Sequence, residues 1–588
     1  MKEMLWHKHN WPENVPKTLD YPEEPLYKLL DKAAEESGDK THTIFYTERS
    51  FAHVHESANR IANFLHSKGI KKGDRVALFL PNLPHYPPIF FGILKAGAVA
   101  VTCNPRYKAP ELQHQFKDSG AKMVFCIDHN ELTPTCYEAV KGTDVKHVIV
   151  CSSKPWLPKF KAIIGGLLGK IPKSPYYEEG ITFHYDDIMA NYPPDPPKVK
   201  IKPKDDLALI LYTGGTTGVP KGAMLTHYNL YANVLQYSEW IWLDPDEGGP
   251  AVPVDIGNEV YIGALPWYHS FGLTLTMIAS VLHQSKLICI GDPRSGKPPF
   301  SDLLAAIQKY KVTLLHAVPA MYAALAYHPN VAKYDLSSIK ACGAGAAALA
   351  PATANVFEEV TGATLFEGYG LTETSPLASA DPSNKRQRKF GSVGFPMPDT
   401  IIKIVDVDTG KKTMETGEDG EVAIHGPQVM KGYWNKPKET AAVMQTIDRK
   451  RYFLSGDIGH FDKEGYLVIT DRKKDMINVS GLKAWPAEIE EILTEHPKIQ
   501  LAAVIGVPRE DDPGNETVKA YVVLVPGQTA TEEEIMTWAK TRMTAYKRPK
   551  AVEFRDSLPQ SAVGKVLRRV LRDEELAKIG EKWEPSVS

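Results

Sequence analysis

Short apolar runs alternate with longer stretches of mixed character through the first two thirds of the chain. Arg75–Leu80, Ala98–Cys103, Lys122–Ile127 and His147–Cys151 read as strands, with helices at Tyr86–Lys95 and Pro110–Asp118. A second series reads as strands at Leu207–Tyr212, Val260–Pro266, Lys286–Ile290, Thr313–Val318, Ile339–Cys342 and Thr364–Glu367, with helical stretches between. Strands this apolar are buried on both faces, so the rhythm predicts parallel sheets covered by helices. Two doubly wound βα lobes leave a crevice beyond the carboxyl ends of their strands, where such folds bind ligands.

From Gly391 to Ile469 the pattern shortens to strands separated by Gly-rich turns such as Thr416–Glu421, which predicts a small β-rich subdomain. Asp471–Asp475 is a charged break. Beyond it, helices at 487–495 and 532–543 and strands at 501–507, 518–525 and 551–554 predict a compact α+β domain of roughly 110 residues.

Composition narrows the class. The 588 residues are 43% hydrophobic and 24% charged, with a formal net charge of −2. These are ordinary globular values and imply no nucleic-acid partner. The six cysteines form no Cys-x-x-Cys pair and mostly sit in apolar runs, which predicts buried reduced thiols rather than metal ligands. Met1–Lys8 lacks the apolar core of a signal peptide, and no apolar run reaches the roughly 18 residues of a membrane span. A cytoplasmic protein, monomer or homodimer, is expected. Residues 154–173 hold five lysines, no acid and eight large apolar side chains. Two readings stand: a segment lying on the inner face of an anionic membrane, or an insertion whose apolar side packs on its own domain.

Chemistry concentrates at Leu211-Tyr-Thr-Gly-Gly-Thr-Thr-Gly-Val-Pro-Lys-Gly222, directly after a strand. Gly214, Gly215 and Gly218 let backbone N–H groups form an anion-binding nest. Thr213, Thr216 and Thr217 add hydroxyls, and Lys221 adds a positive charge. The lysine spacing is not that of the common nucleoside triphosphatase loop. Gly368-Tyr-Gly-Leu-Thr-Glu373 follows another strand and puts a carboxylate at the crevice mouth, where Mg²⁺ could join it to phosphates. Asp457 and Arg472 suit ribose hydroxyls, or form an ordinary salt bridge. His269, in Trp267–Gly272, is either a pocket residue or a satisfied core histidine. Gly343–Ala348 also matches a Gly-x-Gly-x-x-Ala dinucleotide fingerprint, with Glu367 following, which admits a nicotinamide oxidoreductase.

Taken together, the segment 211–227, Gly368–Glu373, Ser455–Asp457, Asp471–Ile477 and Pro559–Arg569 resemble the adenylate-forming superfamily of acyl-CoA synthetases, luciferases and peptide-synthetase adenylation domains. The resemblance spans roughly residues 25–575 and is nearest to AMP-forming fatty acid–CoA ligases. It implies an AMP-binding region over 1–470, a hinge at 471–474 about Lys474, and a mobile C-terminal domain over 475–588. It implies that Glu373 holds Mg²⁺, Thr372 contacts the α-phosphate, Tyr369 packs on adenine, and Asp457 and Arg472 bind ribose. Gly345 lines the adenine and acyl pocket. Lys565 reaches the carboxylate and α-phosphate, and Gly481 lines the pantetheine tunnel.

ATP, CoA and Mg²⁺ are therefore the implied cofactors, and a carboxylic acid is the implied partner. Two details depart from the pattern. The proline usual at Ala348 is missing, and Leu273 stands where some long-chain members carry an aromatic gate. The expected reaction joins a carboxylic acid to CoA through an acyl-adenylate, on medium-to-long-chain fatty acids. An aromatic or alicyclic acid is the alternative, and a nicotinamide oxidoreductase, which explains only residues 343–367, a weaker one. A peptide-synthetase adenylation domain would normally precede a carrier domain, and a non-catalytic nucleotide-binding module would not need Lys565 together with Glu373.

Overall fold

The computed structural model describes residues 4–8, 10–158, 160, 163–165, 171–213, 220–243, 252–480, 482–509, 515–560 and 566–579. Its large α/β part is built on two sheets. In the first, the central strands Leu207–Tyr212, Val99–Thr102, Arg75–Phe79, Ala121–Ile127 and His147–Cys151 run parallel in that spatial order. Gly222–Thr226 and Gly432–Tyr433 extend one edge antiparallel, and Thr182–His184 extends the other in parallel. Val76–Leu80 and Ala121–Cys126 are buried almost throughout, which is why their apolar runs are unbroken.

The second sheet orders Thr364–Gly370, Ala341–Ala344, Leu314–Ala317, Val260–Gly263 and Lys286–Cys289 in parallel. Leu377–Ala380 and Phe395–Pro396 add on antiparallel beyond Thr364–Gly370. Its far edge comes from the start of the chain. Thr41–Ile44 pairs in parallel with Lys286–Cys289, and Glu48–Ser50 closes the edge. The two lobes are thus threaded through each other.

The β-rich subdomain orders Ile401–Val405, Gly420–His425, Lys450–Phe461 and Met444–Ile447, with Leu467–Arg472 also on Lys450–Phe461. The C-terminal part packs helices Pro486–Thr494 and Glu532–Arg542 on Ile499–Pro508, Glu516–Leu524 and Ala551–Phe554. Ile489, Leu493, Val504, Val522 and Ile535 form its core. All six cysteines are buried and unpaired.

Several strands differ from expectation. Val260–Gly263 stops before Pro266 because Asn82 captures the departing chain: its amide donates to the Gly263 and Leu265 carbonyls at 2.8 and 2.6 Å, and it accepts from Trp267 N at 2.8 Å. The strand expected at Ile339–Cys342 starts two residues later, at Ala341. The charged run 471–475 is no break at its start, since Asp471 and Arg472 belong to Leu467–Arg472. Arg472 is kept in the strand by pairing with Asp457 on its neighbour.

Around Lys474 the chain is tied in two directions. Lys473 donates to the Val407 carbonyl at 2.6 Å and to Glu421 at 3.1 Å, both in the β-rich subdomain. Asp475 accepts from Arg568 and Arg572 of the C-terminal helix Arg568–Ile579, at 3.0 and 3.4 Å. Asp471 bridges the two parts, accepting from Ala487 N at 2.7 Å with Arg568 at 3.8 Å. Burial pushes its carboxyl up to about 6.

In the basic segment, Trp156 is buried. It donates to His85 at 2.8 Å, and Arg49 lies 4.9 Å from its ring. Phe160, Ile163 and Ile164 are 61%, 63% and 53% exposed, while Trp156 packs on its own domain and Leu157 and Ile171 are half-buried. Among the described residues no helix is long and apolar enough to cross a membrane.

Candidate active site

A cavity of about 1370 Å³ opens at the carboxyl ends of the strands of both sheets, as doubly wound folds lead one to expect. Its mouth is polar. Tyr212 and Thr213 end one strand, and Thr213 N donates to Lys221 O at 2.9 Å, pinching the base of the glycine-threonine loop. Gly214, Gly215, Thr216, Thr217 and Gly218 lie outside the described residues. Lys221 stands on the cavity wall with its ammonium 4.5 Å from the centre of the Tyr433 ring.

Opposite, the strand Thr364–Gly370 continues three residues past Glu367. A short 3₁₀ turn, Thr372–Thr374, then turns Thr372 and Glu373 into the cavity wall. Glu373 is buried. Its Oε1 accepts from Tyr433 Oη at 2.7 Å, and its carbonyl accepts from Met430 N at 2.8 Å. Burial raises its carboxyl, opposed by the Tyr433 hydrogen bond and the charges of Lys221 and Arg472. Tyr433 was not expected. It ties Glu373 and Lys221 together, and the only hint in the sequence is an aromatic after a glycine on a short edge strand.

Tyr369 Oη donates to Asp457 Oδ2 at 2.8 Å, and Arg472 Nε lies 2.9 Å from Asp457 Oδ1. Tyr369 and Arg472 line the cavity, at the end of the second sheet and on the β-rich subdomain, and the buried Asp457, which is not on the lining, links them. Lys474 follows on the cavity lining, and burial, helped by the Arg472 charge, brings its ammonium down to about 8. Lys565 and Gly481 lie outside the described residues. Leu567 and Arg569, just beyond Lys565, line the same cavity.

His269 is on the wall too. Its Nδ1 accepts from Phe271 N at 3.4 Å, capping the short turn Ser270–Gly272, and burial pulls it down to about 4, so it is neutral near pH 7. Gly345 faces Phe271: a Cβ there would stand 3.1 Å from Gly368 O and 3.2 Å from the Phe271 ring. Glycine therefore lets the Gly368 carbonyl and the Phe271 ring come close to the chain here.

The lining also carries apolar side chains, among them Trp240, Leu275, Phe366, Leu377 and Ala380. Glu367, the residue a dinucleotide reading would place on ribose, is buried and accepts from Leu349 N at 3.2 Å. It is spent inside the fold, which removes the ribose contact that reading requires. Among the described residues no cluster of three or more His, Cys, Asp or Glu side chains could hold a metal by itself.

Comparison with known proteins gives the same picture. Residues 30–434 match the family model described as AMP-binding enzyme, and 488–565 match that of the AMP-binding enzyme C-terminal domain. A long-chain-fatty-acid–CoA ligase of Bacillus subtilis is 39% identical over 570 residues, covering 96% of this chain and 97% of that protein. Among solved structures, ATP-bound MatB from Rhodopseudomonas palustris superposes with a TM-score of 0.78 at 28% identity, covering 95% of this chain and all of that one. A Mycobacterium tuberculosis fatty acyl CoA synthetase superposes with a TM-score of 0.69 at 28% identity, over 94% and 99% of the two chains.

Proposed function

The chain belongs to the AMP-binding enzyme family, and from that premise we propose that it is an acid–thiol ligase that joins medium-to-long-chain fatty acids to CoA through an acyl-adenylate. One observation carries this reading. Lys221, Tyr369, Thr372, Glu373 and Arg472 converge on a single cavity whose polar side chains suit a nucleotide and whose apolar side chains suit a hydrocarbon chain.

In the first half-reaction the acid carboxylate attacks the α-phosphorus of ATP, and pyrophosphate leaves. The chain supplies positioning and charge. The loop from Thr213 to Lys221 holds the phosphates, Thr372 donates to the α-phosphate, and Lys565 reaches the carboxylate and the phosphate as charge builds up. Asp457 and Arg472 hold the ribose, and Tyr369 packs on adenine. His269, neutral near pH 7, and Gly345 border the acyl group.

Glu373 would hold Mg²⁺. A single buried carboxylate fits an ion that arrives already bound to phosphates, since Mg²⁺ uses one or two carboxylates together with phosphate and water. The metal neutralises phosphate charge when bound.

The second half-reaction is CoA thiol attack on the acyl carbonyl, with AMP leaving. The C-terminal domain, 475–588, turns about the 471–474 hinge, withdrawing Lys565 and presenting Gly481 to the pantetheine arm. Lys474 sits between Lys473, tied to the β-rich subdomain, and Asp475, tied to the C-terminal helix, which suits a pivot. Two faces used in turn keep water from the mixed anhydride.

The exposed Phe160, Ile163 and Ile164 are spaced three and four apart within a lysine-rich, acid-free segment. That spacing puts them on one side of a helical turn, and it supports peripheral contact with an anionic bilayer.

The reaction is tested by mass spectrometry of products from MgATP, CoA and an equimolar mixture of acetate, medium and long fatty acids, benzoate and cyclohexanecarboxylate. A dominant medium- or long-chain acyl-CoA with AMP is expected. A dominant benzoyl- or cyclohexanoyl-CoA would overturn the fatty acid assignment, and no AMP from any acid would overturn the ligase reading.

A further inference from the structure

A buried carboxylate ties the C-terminal domain to the rest of the chain across the hinge. Asp471 pairs in register with Ile458 and so belongs to the sheet of the β-rich subdomain. Its side chain is 1% exposed. Oδ2 accepts from Ala487 N at 2.7 Å, in the first turn of helix Pro486–Thr494, and Oδ1 lies 3.8 Å from the Arg568 guanidinium. Both partners lie beyond the hinge.

Arg568 is committed to that far side. It donates to Glu490 at 2.8 and 2.6 Å and to Asp475 at 3.0 Å, so it moves with the C-terminal domain. Its neighbours Leu567 and Arg569 line the cavity, and Lys565 comes three residues before it. The arrangement in which Asp471 makes its contacts is therefore the one that brings the Lys565 segment to the cavity. A turn about 471–474 that withdraws this segment takes Ala487 and Arg568 away from Asp471, yet leaves Glu490 and Asp475 with Arg568. Lys483 and Asp408 also face each other across the hinge, at 3.9 Å, but they are 45% and 82% exposed, and such a pair contributes little.

Stability of the fold does not ask for a charge at Asp471. Burial outweighs the Arg568 charge and pushes the carboxyl up to about 6, above its ordinary value near 4, so folding favours the neutral form and the ionised one is held at pH 7 against that preference. An uncharged asparagine would cap the same helix N–H.

Resting on the ligase reading above, we propose that Asp471 is a positioning residue that sets the balance between two poses of the C-terminal domain. Its ionised carboxylate favours the pose with the Lys565 segment at the cavity, and so adenylate formation over thioester formation.

The test measures the two half-reactions separately in the wild type and Asp471→Asn. The first is pyrophosphate release in a single turnover with MgATP and a fatty acid. The second is acyl-CoA formation from CoA and supplied acyl-adenylate. Asparagine keeps the size of the side chain and an acceptor for Ala487 N while removing the charge. The ratio of the two rates should shift by about tenfold toward thioester formation, the effect of one interaction with a charged group on a two-pose equilibrium. Asp471→Ala, which also removes the acceptor, should shift the ratio at least as far, and it serves if the first variant fails to fold. A role in structure alone would slow both half-reactions together.

An unchanged ratio, equal losses in both half-reactions, or a shift toward adenylate formation overturns this inference and leaves the ligase reading standing. No pyrophosphate release from the wild type with any acid overturns the ligase reading, and this inference with it.

Discussion

Asp457 and Arg472 face each other across two antiparallel strands, with Arg472 Nε 2.9 Å from Oδ1, while Tyr369 holds the other carboxylate oxygen at 2.8 Å. The carboxylate is buried and held on both sides, and it in turn fixes Tyr369 and Arg472, which line the cavity, in one orientation.

Asp457→Ala should therefore raise the KM for ATP by about ten- to a hundredfold, the worth of one or two charge-assisted hydrogen bonds, with a smaller fall in kcat. Steady-state AMP release at varied ATP measures it. An unchanged KM would mean that the Asp457–Arg472 pair serves only the fold.

On the proposed function, Lys565→Ala should slow adenylate formation by at least about a hundredfold, through loss of a positive charge. Thioester formation from chemically supplied acyl-adenylate should keep most of its rate. Equal losses in both half-reactions would contradict the use of two faces.

Glu367 and Asp381 are buried, and burial pushes their carboxyls up to about 8 and about 7. Both exceed the unfolded values near 4. Folding thus favours the protonated forms, and the stability they lend is complete below about pH 4 and lost as pH rises through 7 to 8. The melting temperature should fall across that upper interval, and Glu367→Gln, which stays neutral, should flatten the slope. A wild-type curve flat from about pH 6 to about pH 8.5 would refute the assignment.

Phe160, Ile163 and Ile164 should anchor the chain to anionic vesicles. Co-sedimentation with phosphatidylserine-containing vesicles, weakened by salt, is expected of the wild type, and replacement of all three by serine should abolish it. Sedimentation unaffected by the replacements, or absent in the wild type, would remove the segment from any membrane role.

The strands of both lobes were legible because burial on two faces leaves an unbroken apolar run, as in Leu207–Tyr212 and Lys286–Cys289. What escaped had a tertiary cause. Gly368–Gly370 is polar and glycine-rich, yet it extends a strand because Leu377–Ala380 pairs with it. Asp471 and Arg472 read as a break because their strand partners, Ile458 and Asp457, are not sequence neighbours. Tyr433 was silent for the same reason: it acts through a residue far away in the chain, Glu373. The glycines, threonines and acids of the nucleotide end were visible because their chemistry is local, whereas the acyl end is made of side chains that look like ordinary core until they are assembled.

The parallel pairing of Thr43 with Leu287 has a consequence for the birth of the molecule. A ribosome makes the first of these strands and must then make the whole of the first lobe before the second appears, on the order of ten seconds to a minute later at usual elongation speeds. For that interval the early strand has only the short Glu48–Ser50 beside it in its own sheet, and its other edge, the one Lys286–Cys289 will cover, stays open. A nascent chain stalled anywhere in between would carry an orphan edge, the state from which aggregation starts.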